Sequence, residues 1–253
     1  MHKVAALIVT TLRPSLLRAV RSVFAQDLKE PIHLMIGVDV PDGDIGMFAT
    51  IQAECPSHIT LTVLNLGYST SARHGGFYPN SYGGSLRTIL SYAADAPFLA
   101  YLDDDDWWAP NHLSGLLTVI SDKDWAFSLR ILTDRETGRV ICRDEWDSVG
   151  PGKGINNDYY GGFCCPSTLM LNKQCCHFLL PKWSLAAFAD GGGEDRLMFE
   201  DLKEAGWASS GLYSCFYELS VEAQNVPHHR DEFAKRGILW PFERDRIKDL
   251  PPA

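Results

Sequence analysis

The stretch of sequence that decides the fold is Tyr101-Leu102-Asp103-Asp104-Asp105-Asp106-Trp107-Trp108. The apolar run before the acids, residues 97–102, predicts a buried strand, and a buried helix segment is the alternative that periodicity leaves open. If the run is a strand, the acids stand at its carboxyl end, where ligands bind in open α/β sheets. A solvated acidic turn in front of a helix that begins near Pro110 is the other interpretation.

The four consecutive acids need compensation for their charge. Adjacent carboxylates repel one another, and each must stay hydrated or meet a counter-charge. Hard divalent cations such as Mg²⁺ or Mn²⁺ take carboxylate oxygens. Alternation along a strand puts Asp103 and Asp105 on one side, with Asp104 and Asp106 on the other. The pattern therefore predicts that Asp103 and Asp105 hold a Mn²⁺ or Mg²⁺ ion that also binds a diphosphate.

Length, composition and charge limit the class of protein. The chain has 253 residues, 45% of them hydrophobic, which suits one large α/β domain or two small ones with an ordinary core. The net charge of -9 and the absence of a basic stripe argue against nucleic acid as a main partner, because such binding depends on neutralising phosphates. No apolar run reaches the length of a membrane span, and the short N-terminal run favours a first strand over a signal peptide.

Cysteine usage indicates the redox compartment. The chain has seven cysteines, an odd number, and no Cys-x-x-Cys motif. We therefore expect a reduced, intracellular protein with a cytoplasmic location. Zinc at the adjacent pairs Cys164-Cys165 and Cys175-Cys176 is an alternative, which is disfavoured because adjacent residues on a strand face opposite ways.

The first half of the chain alternates strands with helices. The predicted strands are residues 4–9, 32–39 and 58–64, and the predicted helices are residues 14–27 and 45–54. This order predicts a parallel sheet with right-handed crossovers. Residues 67–84 interrupt it with a long loop rich in Gly, Ser, Tyr and Asn, and loops of this length are usually functional. A helix from Ser85 then leads to the acidic strand.

The second half is less regular. The predicted elements are a helix from Pro110 through Ile120, a hairpin of residues 125–132 and 139–142, strands at residues 163–171 and 212–221, and a helix from Glu194 through Ala205. Residues 144–162 are irregular, and the tail after Gln224 is polar. We find no internal repeat and no low-complexity linker.

Several motifs, in this order, resemble family 2 glycosyltransferases of the GT-A fold. They are Thr10-Thr11-Leu12-Arg13-Pro14 after the first strand, Val38-Asp39 at the end of the second, Arg87 sixteen residues before Asp103, the run Leu102-Asp103-Asp104-Asp105-Asp106-Trp107, and Gly193-Glu194-Asp195. The resemblance covers about residues 4–205. Val40 and Thr88 depart from the family pattern, and the loop of residues 67–84 is longer than is typical. These departures bear on base and donor specificity.

The resemblance implies a fold class. It is an α/β protein with a GT-A type, Rossmann-like, mostly parallel sheet flanked by helices and a smaller mixed back half. Residues 1–253 would form a single domain. Within it, residues 1–108 are the nucleotide-binding half, residues 109–225 are the acceptor half and residues 226–253 are a C-terminal tail.

The resemblance also implies a donor site. A nucleotide-diphosphate sugar, most readily a UDP-sugar, would be bound by Thr10, Thr11, Arg13, Asp39, Arg87, Asp103 and Asp104. Asp39 would bind the base or the ribose, and Asp105 would be the more direct metal ligand. His228 or His229 would complete the metal site, although a solvated histidine pair in a polar tail is the alternative.

Catalysis of the implied reaction requires a base for the acceptor, which would be a carbohydrate or another hydroxyl compound. A hydroxyl must lose a proton as it attacks, and a carboxylate within hydrogen-bond reach can take it. Asp195, with Glu194 beside it, follows three glycines at a helix N-terminus, which would lower the pKa of Asp195. The alternative is that both acids only favour the helix dipole. One base and one displacement would invert the anomeric centre, and the loop of residues 67–84 would close over the donor.

Two other classes compete with this interpretation. A sugar-phosphate nucleotidyltransferase has a similar sheet but usually a Gly-rich loop after the first strand, and Thr10-Thr11-Leu12-Arg13-Pro14 has no glycine. A non-catalytic domain that binds a sugar or a protein is the second alternative. The complete acidic motifs argue against it.

Overall fold

A computed structural model describes residues 1–238, in which a single large sheet is flanked by helices. The strands are β1 (Val4–Thr10), β2 (Ile32–Val38), β3 (Ile59–Asn65), β4 (Phe98–Asp103), β5 (Trp107–Trp108), β6 (Trp125–Asp134), β7 (Val140–Arg143), β8 (Gly150–Pro151), β9 (Gly162–Phe163), β10 (Leu169–Asn172) and β11 (Trp207–Leu219). The helices are α1 (Leu16–Phe24), α2 (Met47–Glu54), α3 (Gly84–Ala93), α4 (His112–Val119), α5 (Asn157–Tyr160), α6 (Lys173–Cys176), α7 (Glu194–Leu202), α8 (Val221–Gln224) and α9 (Pro227–Lys235).

The sheet is parallel in its first half and mixed in its second. Its strand order is β3-β2-β1-β4-β10-β6-β11-β5, with β7 paired to β6. Strands β3, β2, β1 and β4 are all parallel, and β10 is antiparallel to both of its neighbours, β4 and β6. This arrangement confirms the predicted α/β class with a mostly parallel front and a mixed back half.

Strand β1 is buried on both faces, which explains its continuous apolar sequence. Val4, Ala6 and Ile8 belong to the core that includes Val20 of α1, whereas Leu7 belongs to the core that includes Leu90 of α3. Because side chains alternate along a strand, one run of seven residues supplies both layers of the core.

The carboxyl ends of the central strands meet at one edge of the sheet. In the register of the sheet, Thr10 lies opposite Val38 of β2, and Val9 lies opposite Asp103 of β4. The polar residues that follow these strands are therefore brought together, although they are up to about ninety positions apart in sequence.

The back half differs from its prediction in two places. Residues 163–171 are not one strand: β9 ends at Phe163, a 3-10 turn spans Pro166–Thr168, and β10 follows. Pro166 explains the break, because proline cannot donate to a strand ladder. The last strand, β11, begins at Trp207 and not at residue 212.

The tail is also different from its prediction. Residues 227–235 form α9 and bury His229 and Phe233, so this part of the chain is not a solvated polar segment. Residues 239–253 of the predicted tail lie outside the described residues. The division into halves at residue 108 remains a prediction.

The loop of residues 67–84 has a defined path between β3 and α3. A 3-10 turn spans Ala72–His74. Near the end of the loop, the Ser81 amide donates to the Gly191 carbonyl over 2.8 Å and its hydroxyl donates to the Asp190 carbonyl over 2.6 Å. These bonds attach the loop to the segment that carries Glu194. The role of the loop as a lid remains a prediction.

Two expectations from composition concern cysteines and membrane spans. All seven cysteines are free thiols. Among residues 1–238, no group of candidate metal ligands joins the two cysteine pairs. Within the same residues, no helix has both the length and the apolar character that crossing a membrane requires.

Candidate active site

A cleft of about 670 Å³ opens at the carboxyl ends of β1, β2 and β4. Its lining includes every residue predicted for the donor or for catalysis, together with Asp105: Thr10, Thr11, Arg13, Asp39, Arg87, Asp103, Asp104, Asp105, Glu194 and Asp195. His228 and His229 are not among the residues that line it.

Asp104 holds the loop that follows β1. It is buried, and its Oδ2 accepts a hydrogen bond of 2.6 Å from the Thr10 hydroxyl. Its Oδ1 is paired with the Arg13 guanidinium. The Thr10 hydroxyl in turn accepts a hydrogen bond of 2.8 Å from the Leu12 amide. Leu12 has a φ of 61°. Both Asp104 oxygens are therefore engaged within the chain, and its contact with a donor remains a prediction.

Asp105 lies between two arginines at the mouth of the cleft. Its Oδ2 accepts a hydrogen bond of 2.8 Å from Arg13 Nη1 and another of 2.8 Å from Arg135 Nη2. Arg135 also lies 3.5 Å from Glu218 Oε2. Both arginines remain about half exposed, which leaves their other N–H groups able to meet an anionic ligand.

Arg87 joins the acidic cluster to the start of α7. The side chain is buried, and its Nη2 donates to Asp103 Oδ1 over 2.7 Å. Its Nη1 lies 3.5 Å from Glu194 Oε1, and its guanidinium carbon is 4.8 Å from the centre of the Trp183 ring. Arg87 thus bridges the two acidic motifs that the sequence analysis placed in separate roles. Its predicted contact with the nucleotide is untested.

The alternation predicted for the four acids is wrong beyond Asp103. Strand β4 ends there, and a turn closed by the Asp106 amide donating to the Asp103 carbonyl over 3.1 Å redirects the chain. This turn brings Asp106 close to Asp103, and the charge of Asp105 also acts on Asp103. One carboxylate oxygen from Asp103 and one from Asp106 lie within 4.8 Å of each other and of the Cys165 sulfur.

The Asp103, Asp106 and Cys165 group has the chemistry of a hard-cation site. Asp106 Oδ2 is buried without a hydrogen-bond partner among the described residues. Burial raises the pKa of Asp106 well above its ordinary value, and the neighbouring charges of Asp105 and Asp103 add to this shift. Burial also raises the pKa of Asp103. Burial raises the pKa of the Cys165 thiol as well, so carboxylate oxygens are the main donors. Such a set fits Mg²⁺ or Mn²⁺.

Asp39 lines the cleft and has one carboxylate oxygen without a partner among the described residues. Its Oδ1 accepts from the Thr70 amide over 2.6 Å, from the Thr70 hydroxyl over 2.9 Å and from the Ser69 hydroxyl over 3.3 Å. Its Oδ2 is buried and has no hydrogen-bond partner among the described residues. A carboxylate oxygen left in this state can accept a hydrogen bond from a ligand N–H or O–H group.

The glycines before Glu194 allow close packing of the backbone. Gly191 has a φ of 87° and Gly193 a φ of 86°, in the left-handed region that favours glycine. A Cβ on Gly191 would collide with the Pro79 carbonyl. This segment is thus closely packed against the end of the loop of residues 67–84, and the space at Gly191 admits no side chain.

Glu194 and Asp195 begin α7 and face the cleft. Burial is the main cause that raises the pKa of Glu194 to about 7, against the opposing charge of Arg87. Burial also raises the pKa of Asp195, although Arg196 lowers it. The pKa of Asp195 is therefore shifted opposite to the expected direction, because desolvation by burial is the largest cause of the shift.

His228 and His229 group with Asp147 and not with Asp103. One ligand atom of each of these three residues lies within 4.8 Å of the others. His229 is buried, its Nδ1 accepts from Trp146 Nε1 over 3.2 Å, and burial lowers its pKa to about 4. The structure thus gives His229 a packing role on α9, and a metal role for either histidine remains a prediction.

Sequence reasoning missed several residues that line the cleft. They are Arg130, Arg135, Asp147, Cys165, Tyr217 and Glu218. Buried Arg130 pairs with Asp144 over 2.6 Å and also with Asp147, and its guanidinium carbon lies 4.1 Å from the centre of the Tyr217 ring. Arg130, Tyr217 and Glu218 lie on β6 and β11, Arg135 follows β6, Asp147 follows β7 and Cys165 follows β9. The pairing that brings these segments together leaves no local signal in the sequence.

The fold and the cleft together define a GT-A type α/β architecture, as the sequence resemblance implied. The structure of residues 1–349 of S. aureus TarS superposes with a TM-score of 0.59 and 14% identity, over 85% of this chain and 60% of that chain. The same TarS segment in complex with UDP-GlcNAc gives a TM-score of 0.58 and 14% identity, over 86% and 58% of the two chains. Its complex with UDP gives 0.59 and 14%, over 98% and 75%.

These similarities establish only the fold, because the sequence identity is low. The chain spans about 60% of the length of the first TarS structure. No family model matches the sequence, and no curated protein matches it either.

A first prediction concerns the buried carboxyl of Glu194. Its pKa of about 7 in the folded state is above its ordinary value. At a pH between these two pKa values, the folded protein keeps a proton on Glu194 that the unfolded chain has lost. Stability should therefore fall as the pH rises through that window. The wild type should lose unfolding free energy between about pH 5 and about pH 8. In Glu194→Gln this loss should be smaller than in the wild type by roughly 1–3 kcal/mol.

Urea unfolding at both pH values measures this difference. Glu200→Gln, at an exposed position of the same helix, is the matched control and should behave as the wild type does. Equal pH dependence in the wild type and in Glu194→Gln would show that Glu194 has an ordinary pKa.

Proposed function

We propose that this protein transfers a sugar from a nucleotide-diphosphate sugar, a UDP-sugar in particular, to the hydroxyl group of an acceptor. The observation that carries the proposal is the convergence in one cleft of a free Asp39 oxygen, a partly uncompensated acidic cluster and the Glu194-Asp195 pair. TarS, whose fold is similar, has been crystallised with UDP and with UDP-GlcNAc, which supports a nucleotide-sugar donor.

Asp39 would recognise the nucleoside. Its Oδ1 is saturated by Ser69 and Thr70, so only Oδ2 is available to a ligand. This oxygen can only accept, and uracil and ribose both offer donors, as a ring N–H and as hydroxyls. Since the loop that carries Thr70 fixes the carboxylate in place, little ordering is needed on binding.

The acidic cluster would receive the diphosphate. Asp103, Asp105 and Asp106 are the carboxylates that would hold a Mn²⁺ or Mg²⁺ ion, which, when bound, stabilises the negative charge that builds on the leaving diphosphate. Arg13 and Arg135 pair with Asp105, line the same cleft and have further N–H groups that can donate to a ligand. They would bind the phosphate oxygens, because guanidinium groups match the geometry of phosphate.

Asp195 would remove the proton from the acceptor hydroxyl. Its Oδ1 accepts from the Arg196 amide over 2.8 Å, which fixes the carboxylate at the start of α7. The upward shift of its pKa makes it a stronger base, since efficiency improves as the pKa approaches the working pH. Glu194, held near Arg87, would position this end of the helix against the donor site. One base and one displacement give inversion of the anomeric centre.

The direct test of the proposed function is a donor-hydrolysis screen. UDP-, GDP- and ADP-sugars are incubated with the protein and Mn²⁺, and release of the nucleoside diphosphate is measured with and without carbohydrate acceptors. We expect release from a UDP-sugar. Binding of UDP without release would favour a non-catalytic domain, and formation of UTP and a sugar 1-phosphate on addition of pyrophosphate would favour a nucleotidyltransferase.

A second prediction concerns the base. Asp195→Asn keeps the size and the hydrogen-bonding shape of the side chain but cannot take a proton. Transfer should fall by about 10²–10⁴-fold, whereas UDP affinity should stay within a few-fold. Asp201→Asn, further along α7 and paired with Lys182, is the matched control and should keep its activity. A collapse of UDP affinity would place Asp195 in the donor site, and surviving turnover would place the base elsewhere.

A third prediction concerns recognition of the nucleoside. In Asp39→Asn, the amide oxygen should stay with Thr70, so the amide NH₂ would replace the free Oδ2 and oppose a donor group of the ligand. UDP affinity measured by calorimetry should fall by about 10–100-fold, the range for a lost hydrogen bond to a charged group. Asp42→Asn, exposed in the following turn, is the control. Unchanged affinity in Asp39→Asn would exclude this contact.

A further inference from the structure

A second, smaller cleft lies beside the active-site cleft. It has a volume of about 290 Å³ and is lined by Tyr159, Tyr160, Ala187, Phe188, Arg196, Leu197, Glu200 and Lys203. Arg196 lines both clefts, and it follows Asp195 directly in the sequence. The two clefts therefore share a wall residue next to the place where the acceptor hydroxyl would lose its proton.

Exposed aromatic rings form much of the wall of the second cleft. The exposed fractions are 84% for Tyr159, 40% for Tyr160 and 50% for Phe188. Phe188 is held in place, since its amide donates to the Gly192 carbonyl over 3.0 Å. Its ring lies against Gly193, where a Cβ would come within 2.7 Å of Phe188 Cε2. Grouped aromatic side chains that remain exposed mark binding sites more often than scattered ones do.

Polar groups from α7 and from Lys203, the residue that follows it, accompany these rings. Arg196, Glu200 and Lys203 recur at the spacing that places side chains on one face of a helix. The Arg196 guanidinium carbon lies 3.7 Å from the centre of the Phe163 ring and 4.8 Å from that of Tyr160. Its Nη1 is buried without a hydrogen-bond partner among the described residues. An unsatisfied N–H group at the junction of two clefts is one that a ligand oxygen can complete.

We propose that the second cleft binds a sugar ring of the acceptor, an inference that rests on the proposed function. A pyranose has apolar C–H faces, which pack on aromatic rings, and hydroxyl edges, which bond to a guanidinium or a carboxylate. The apolar faces would pack on the rings of Tyr159, Tyr160 and Phe188. The hydroxyl edges would bond to Arg196 and Glu200. The volume is at the lower end of the range of about 300–1,000 Å³ for small-molecule sites, as expected for one ring.

The position of this cleft also limits the acceptor. The reacting hydroxyl must reach Asp195, which lines the first cleft, while the bound ring lies in the second. The two requirements are met together by a chain of at least two sugar units that passes Arg196. The acceptor class is therefore a glycan or a glycoside of a disaccharide, and a free monosaccharide would be a poor acceptor.

The test is sugar binding with the donor cleft already filled. The full chain is saturated with UDP and Mn²⁺, and saturation-transfer NMR is recorded with cellobiose, lactose and N,N'-diacetylchitobiose, and with the methyl glycosides of their component sugars. We expect transfer to at least one disaccharide. Tyr159→Ala and Phe188→Ala should each weaken that binding by about three- to tenfold, the loss expected for one aromatic contact.

Phe178→Ala is the matched control, because Phe178 is an exposed phenylalanine, 66% accessible, that does not line the cleft. It should bind the disaccharide as the wild type does. The proposal is overturned if no sugar binds to the wild type, or if the Tyr159→Ala/Phe188→Ala double variant binds as tightly as Phe178→Ala. UDP affinity, measured on the same samples, separates the two hypotheses: UDP binding without sugar binding rejects only the second cleft, whereas absence of UDP binding rejects the proposed function itself.

Discussion

Compensation of the four acids after β4 is the constraint on which the arrangement of the site depends. A buried carboxylate without a partner is costly, so each acid must meet a donor or a cation. The partners come from separate parts of the chain: Arg87 of α3 for Asp103, Thr10 of β1 and Arg13 of the loop after it for Asp104, Arg13 and Arg135 for Asp105, and the Glu218 amide of β11 for Asp106. The acids thus fix the positions of segments that lie far apart in sequence. One Asp106 oxygen remains without a partner among the described residues, and a divalent cation would complete the compensation.

Helix α7 links the two halves of the proposed reaction. Its first residue, Glu194, is joined through Arg87 to the acidic cluster, and the segment before it is tied to the loop that begins at residue 67. Asp195 and Arg196 follow at the boundary between the two clefts. A single helix N-terminus therefore contacts the donor side, carries the proposed base and begins the wall of the proposed acceptor subsite. Small shifts of α7 would change all three together.

The front half could be predicted from the sequence because its signals are local. The apolar runs of β1, β2 and β4 and the acids at the ends of β2 and β4 are visible in a few consecutive residues, and parallel strands bring those ends together. The failures are non-local. A turn after Asp103 brings Asp106 close to it, Arg135 reaches the cleft after the end of β6, and desolvation raises the pKa of Asp195. Each outcome depends on neighbours that the sequence does not place.

The central claim is that the acidic cluster and the free oxygen of Asp39 form one site for a cation and a nucleoside diphosphate. The most direct measurement is the thermodynamic coupling between the two ligands, obtained by titrating Mn²⁺ into the protein with and without UDP and UDP with and without Mn²⁺. Because linkage is reciprocal, each ligand should tighten the other by the same factor, about 5- to 150-fold. Independent binding of Mn²⁺ and UDP, or binding of UDP with no response to Mn²⁺, would contradict the account.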